Sequence, residues 1–150
     1  MGKFNFRLES LLKLRKYERD VRQQRLVEKL AEDQQLLDQR NRLEQAREQV
    51  LEELRQLQQA RVVKVEQAAA RRYYAGRLLA VILEVERQRQ LLKQEIERRR
   101  RELAEAEKKV KVLEKLKEKQ RAEHQYEALR AEALALEDTW AAAQQRRPLA

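Results

Sequence analysis

Few residues in this chain have the side chains that catalysis or metal binding requires. His124 is the only histidine and there is no cysteine, which excludes a multi-histidine metal site, a thiol nucleophile and a zinc–thiolate site. The sequence contains no phosphate-binding loop, GxSxG motif or HExxH motif. Solvated helix faces explain the many glutamate pairs, and His124 is expected to be an ordinary helix residue. We therefore predict a protein that is not an enzyme, with no catalytic residue, metal, cofactor or small-molecule substrate.

The composition points to long helices instead. About two-thirds of the residues are Ala, Glu, Lys, Leu or Arg, which is typical of coiled coils. Only two glycines and one proline, Pro148, are present, so nothing in the interior strongly interrupts a helix. A chain with 41% charged residues lacks the apolar side chains for a compact globule of this size. The absence of cysteine is compatible with a reducing cytoplasm.

Apolar residues recur at heptad spacing in three stretches. Residues of a left-handed coiled-coil seam recur every seven residues or alternate steps of three and four. In the first stretch Leu36, Leu43, Val50 and Leu57 recur at sevens, with Leu54 between the last two. Alternating steps of four and three occur at Tyr74, Leu78, Val81 and Val85, and at Leu92, Ile96, Arg99, Leu103, Ala106, Val110 and Leu113. The β-branched cluster Val62, Val63 and Val65 is the best candidate for a turn, because such residues form helices poorly. We predict a single all-α domain over residues 1–150: a long antiparallel two-helix coiled-coil hairpin with helices over about 5–60 and 66–145 and a turn at about 61–65.

The opening stretch "FNFRLESLLKLRKYERD" is apolar and basic. Lys13, Arg15 and Lys16 interrupt it too often for a secretory signal, and no apolar run reaches the length of a membrane span. We expect it to form the first turns of helix one, with Asn5 as the N-cap.

Most of the net charge of +9, about +7, gathers at one end of this hairpin. With a turn near Val63, residue i faces residue 126 − i, so residues 1–20 lie beside residues 107–121. These segments carry +3 and +4. We predict a basic tip that docks on an acidic partner. Its residues are Arg7, Lys13, Arg15, Lys16, Lys115, Lys117, Lys119 and Arg121.

Two other interpretations of the charge remain open at this point, a solvated helix with surplus Lys and Arg and a membrane-surface helix. Nucleic-acid binding is disfavoured, since acids interleave with the basic residues and Tyr73 and Tyr74 point about 100° apart on a helix. A generic coiled-coil scaffold and a nucleic-acid-binding hairpin stay as alternatives.

The end of helix two keeps an apolar stripe where helix one has no residues left to cover it. The stripe comprises Ala122, Tyr126, Leu129, Ala133, Leu136 and Trp140. We predict an overhanging helix whose apolar face, formed by Tyr126, Leu129, Leu136 and Trp140, enters a partner. The alternatives are that the chain turns back on itself or that two copies pair through this face.

Three segments resemble the flagellar FliJ family. "FNFRLESLLKLRKYERD" is similar to the family's aromatic-x-Phe-x-Leu-x-x-Leu-Leu opening and basic helix, "YYAGRLLAVI" to the Tyr-rich start of its second helix, and "VLEKLKEKQRAEHQYEALRAEALALEDTW" to its C-terminal block. The resemblance implies a cytoplasmic stalk-like component of the flagellar type III export apparatus. An injectisome counterpart is the alternative.

Further expectations come only from this resemblance. Family members insert the stalk end formed by both termini into the hexameric ring of the export ATPase and activate it. They also contact the cytoplasmic domain of the export gate and bind export chaperones. The resemblance thus implies that the basic tip binds the ATPase, and that the protein is peripheral at the cytoplasmic face of the inner membrane.

Overall fold

Two long helices make up nearly all of the chain. A computed structural model describes residues 2–62 and 64–146, with helix α1 at Glu9–Gln59 and helix α2 at Val65–Gln145. The described residues are 92% helical and contain no strand, which confirms the all-α prediction, and the two long helices pack against each other. Val63, the expected centre of the turn, and Pro148 lie outside the described residues.

The helix bounds follow local chemistry. Around the turn, α2 begins at Val65, and the carbonyl oxygen of Lys64 accepts a hydrogen bond of 3.0 Å from the N–H of Ala68. Gly76 does not interrupt α2, and a Cβ atom added there would meet nothing within 4 Å. A single glycine on an open helix face costs only about 1 kcal/mol, so the helix continues through it.

The start of α1 corrects the expected boundary, because the helix begins at Glu9 rather than near Asn5. Residues 2–6 are not helical, and the first turn closes when the N–H of Glu9 donates to the carbonyl oxygen of Phe6 at 3.1 Å. Phe4, Phe6 and Leu8 are buried or half-buried, whereas the residues between them are exposed. This period of two is that of an extended segment, and it lets the Phe side chains reach the core.

The chain forms two compact units. Unit 1 comprises Met1–Asp20 and Glu105–Ala150, and unit 2 comprises Val21–Ala104. The core of unit 1 contains Phe6, Leu12, Val110 and Leu113, of which Leu12 is only 1% exposed. A second core cluster, of Val50, Ala75 and Leu78, lies in unit 2 and is extended by Leu43, Ala46 and Leu51.

The seam of α2 within unit 2 corrects two of the expected positions. Tyr74 and Val81 are 52% and 43% exposed, whereas Ala75 and Ile82, one residue further along, are buried. The observed seam passes through Ala68, Arg71, Ala75, Leu78, Ile82, Val85, Arg89, Leu92, Ile96 and Arg99, which alternate steps of three and four without interruption. Arginines occupy three of these positions, so a search of the sequence for regularly spaced apolar residues alone does not detect this heptad frame.

Ion pairs across the helices hold each unit in register. In unit 2, Arg40 Nη1 lies 2.6 Å from Glu86 Oε1, and Arg89 Nε lies 3.0 Å from Asp33 Oδ1. In unit 1, Lys117 Nζ lies 2.8 Å from Glu9 Oε2. The pairs Arg40–Glu86 and Glu9–Lys117 both match the predicted pairing of residue i with residue 126 − i.

Candidate functional site

The residues predicted to form the basic tip all belong to unit 1. Lys117 is paired with Glu9 at 2.8 Å, Lys16 with Glu114 at 3.8 Å, and Arg15 with Glu18 at 3.1 Å. The first two contacts join the start of α1 to α2 and the third lies within α1. Together they neutralise three of the eight cations. The charge that remains available to a partner is therefore smaller than the sequence count.

Four cations of the basic tip stay uncompensated. Arg7, Lys13, Lys115 and Lys119 are exposed, and none of them forms an ion pair with any residue in the described ranges 2–62 and 64–146. We name these four the free cations of the basic tip. They are available for charge-assisted contacts with carboxylates of another protein.

Arg121, the eighth residue of the basic tip, has a different environment. Its guanidinium lies 5.7 Å from the centre of the Phe4 ring, within cation–π distance. The Phe4 ring also lies 5.7 Å from the His124 ring, and His124 Nε2 is 3.2 Å from the carbonyl oxygen of Gly2. Arg121 and His124 thereby hold the extended N-terminal segment against α2.

Sequence reasoning missed this role of Phe4, Phe6 and His124 because it extended helix one to Asn5. The signal was present in the alternation of Phe4, Phe6 and Leu8, which does not fit a helical period.

The Lys117–Glu9 contact also changes the pKa of Glu9. The hydrogen bond from Lys117 lowers the pKa of Glu9 below its ordinary value of 4.5, and Lys13 and Lys16 act in the same direction. Basic surroundings stabilise the ionised carboxylate. Glu9 is therefore part of the electrostatics of the basic tip even though its own charge is negative.

The predicted apolar face is exposed at all four positions. Tyr126, Leu129, Leu136 and Trp140 are 67%, 66%, 71% and 65% exposed, and every residue from Leu129 to Arg146 is exposed. Leu136, Trp140 and Ala143 line a shallow depression on this face. The segment also differs in charge from the basic tip, since residues 122–146 contain five acidic and two basic side chains.

The apolar face is not a continuation of the seam that packs α2 against the N-terminal segment. The partly buried positions after Leu113 are Leu116, Lys117, Gln120, His124 and Ala128, of which Lys117, Gln120 and His124 continue the alternating steps of four and three. At about 100° per residue, Tyr126, Leu129, Leu136 and Trp140 lie roughly 120–200° around α2 from His124. The sequence interpretation treated both as one stripe, whereas the structure puts them on opposite sides of the helix.

No membrane-spanning helix and no metal cluster were found in the part of the chain that the structure describes. No described helix combines the length and the apolar character needed to cross a bilayer. No group of three metal-ligating side chains occurs within residues 2–62 and 64–146.

Comparison with known proteins identifies the family. A family model described as flagellar FliJ protein matches residues 4–148 of the 150-residue chain. The chain belongs to the FliJ family. FliJ proteins are non-catalytic components of the flagellar export apparatus, and the match includes both the basic tip and the apolar face. Comparisons with curated proteins and with solved structures gave no match for this FliJ protein.

Proposed function

We propose that this FliJ protein is a stalk that inserts unit 1 into the hexameric ring of the flagellar export ATPase and activates it. The observation that carries the proposal is the joining of two basic segments, residues 1–20 and 107–121, around the Glu9–Lys117 contact. The free cations of the basic tip bind acidic side chains at the ring entrance. The apolar face enters the ring as a separate anchor.

The charge around the apolar face supports different roles for the basic tip and the apolar face in binding the ATPase. The basic tip attracts an acidic collar at long range and accelerates association. The apolar face, with acidic flanks, needs a partner groove that is apolar and free of surplus acid, because like charges across an interface weaken binding. This face projects past the last contact with the N-terminal segment as the overhang of α2.

The remaining parts of the proposal rest on family membership. The coiled-coil body contacts the cytoplasmic domain of the export gate, and export chaperones bind to the same protein. The protein is then held at the cytoplasmic face of the inner membrane as a peripheral member of the export apparatus.

Reversal of the free cations tests the role of the basic tip. The variant Arg7→Glu, Lys13→Glu, Lys115→Glu and Lys119→Glu should abolish stimulation of the purified cognate export ATPase, since attraction to the ring becomes repulsion. Helicity should stay unchanged because none of the four forms an ion pair with a described residue. Phosphate release and circular dichroism give the two measurements.

A control with the same charge change lies in unit 2. Arg25, Arg42, Lys93 and Arg100 are exposed and likewise form no ion pair among the described residues, so reversing these four to Glu should leave stimulation largely intact. Equal loss in both variants would mean that net charge alone matters. Undiminished stimulation by the tip variant would leave shape and apolar contact as the basis of insertion.

The apolar anchor is tested by Leu136→Gln with Trp140→Gln. Each side chain contributes roughly 1–3 kcal/mol when fully desolvated in a partner, so ATPase affinity should fall about fivefold to 150-fold per residue. Leu83→Gln with Leu91→Gln, at 60% and 56% exposure, is the control and should bind as the wild type.

Truncation after Gln125 is a second test of the apolar face. It should remove ATPase binding while keeping the contact of His124 with Gly2. If the truncated chain binds the ATPase as tightly as the whole chain, the apolar face is not the anchor.

A further inference from the structure

A second concentration of positive charge lies at the turn end of unit 2. Residues 59–77 contain five basic side chains and one acidic side chain, Glu66. The other residues of unit 2 contain 14 basic and 13 acidic side chains, so they are nearly neutral. The turn end therefore carries almost all the surplus positive charge of unit 2. It is separate from the basic tip, which belongs to unit 1.

Four of the five cations at the turn end have no carboxylate partner. Arg71 is paired with Glu53 at 2.8 Å. Arg61, Lys64, Arg72 and Arg77 are exposed, and none of these four forms an ion pair within residues 2–62 and 64–146. Arg77 Nη1 instead donates to the hydroxyl of Tyr73 at 3.3 Å, and its guanidinium lies 6.0 Å from the centre of that ring.

Exposed large apolar side chains alternate with these cations. Val62 and Val65 are 74% and 73% exposed, and Tyr73 is 69% exposed. Three neighbouring pairs result, namely Arg61 with Val62, Lys64 with Val65, and Arg72 with Tyr73. Arg72 follows Val65 by seven residues, which is about 10 Å along the helix, so all three pairs lie within a narrow zone at the turn end.

We propose that this turn-end surface, formed by the three cation–apolar pairs, binds an anionic lipid bilayer. A bilayer surface offers negative headgroups directly above an apolar layer, and shallow insertion of Val and Tyr beside Lys and Arg matches both layers at once. An acidic protein partner would need the charge but not the exposed valines. Single-stranded nucleic acid is held by stacking on aromatic platforms, which valines do not provide. This lipid contact goes beyond the ATPase-stalk role, because it uses the other unit.

Vesicle binding by the full chain tests the charge. The protein should sediment with vesicles of phosphatidylcholine and phosphatidylglycerol but not with phosphatidylcholine alone. Arg61→Glu, Lys64→Glu and Arg72→Glu together should weaken this binding at least about a hundredfold, as about 1 kcal/mol per basic residue at an anionic membrane implies. The control Arg25→Glu, Arg42→Glu and Lys93→Glu carries the same charge change and should stay within a few-fold of the wild type. Equal loss in both variants would overturn the proposal.

Insertion of the apolar side chains is tested by a fluorescent probe. Trp140 is the only tryptophan, so Trp140→Phe gives a protein without tryptophan fluorescence. In that background, Val62→Trp should show a blue-shifted emission on anionic vesicles, whereas Val27→Trp, at a position 50% exposed in unit 2, should show none. A Val62→Trp emission that stays at its aqueous wavelength, or tighter binding of polyglutamate or single-stranded DNA than of vesicles by the wild type, would overturn the lipid proposal. The basic-tip variant separates the two sites, because it should lose ATPase stimulation and keep vesicle binding.

Discussion

At the scale of single residues, the burial of Phe6 determines where α1 begins. It is 4% exposed and packs with Leu12, Val110 and Leu113. An extended backbone brings both Phe4 and Phe6 to α2, and the helix starts only after Leu8. The gain from burying an aromatic side chain, roughly 1.5–3 kcal/mol, offsets the helical hydrogen bonds that this segment does not form.

The Phe6→Ala variant should loosen unit 1 selectively. The substitution removes about 3–5 kcal/mol of packing, so amide hydrogen exchange should accelerate from Val110 to Leu113. Exchange from Val85 to Leu92, in unit 2, should remain as in the wild type. Tyr17→Ala, at a position 67% exposed, is the control with little effect. Uniform acceleration along both helices would show instead that the two units unfold as one.

At the scale of the helices, charged seam positions select one pairing. Arg89 occupies a seam position with its side chain only 14% exposed, and it contacts Asp33 at 3.0 Å and Glu86 at 3.5 Å. The hydrogen bond that Arg89 donates to the carboxylate of Asp33 raises the pKa of Arg89 above its ordinary value. A shift of one helix past the other would leave this guanidinium without Asp33, and an unpaired charge in a partly buried seam is costly.

The Asp33→Ala variant should destabilise the protein by about 1–3 kcal/mol in urea unfolding followed by circular dichroism. Adding Arg89→Leu should recover much of this loss, since a leucine fits between Val85 and Leu92 without a charge partner. Glu84→Ala, which breaks an exposed ion pair with Arg87, should change stability by less than about 1 kcal/mol. A double variant no more stable than Asp33→Ala would show that Asp33 does not act through Arg89.

For the whole molecule, ion pairs make stability depend on pH in the acid range. The pKa of Glu9 is lowered by the hydrogen bond from Lys117, that of Glu84 by Arg87, and that of Glu86 by Arg40. In the unfolded chain these carboxylates lack their partners. As the pH falls below 4.5, they are therefore protonated at a higher pH than in the folded protein. Folding stability that these carboxylates contribute is therefore complete above 4.5 and is lost as the pH falls through their lower folded values.

The melting temperature should accordingly stay constant between about pH 6 and 8, because these carboxylates are ionised there in both the folded and the unfolded chain. It should fall progressively once the pH drops below 4.5. In a Lys117→Met variant, the pKa of Glu9 measured by NMR should rise toward 4.5, while that of Glu86, in unit 2, should not move. A melting temperature that falls mainly in the neutral range would contradict this account.

The sequence by itself determined the helical class, the packing partners of Arg40 and Glu9, and the charge of the basic tip. These features depend on composition and on distances along the chain. Only the tertiary structure decided that α2 packs through Ala75 and Ile82 rather than Tyr74 and Val81, and that the apolar face turns away from His124. The reason is that apolar residues occupy more than one heptad frame in α2, one residue apart. Which frame is buried depends on the facing helix and on partners for Arg71, Arg89 and Arg99, and these come from residues far away in the chain.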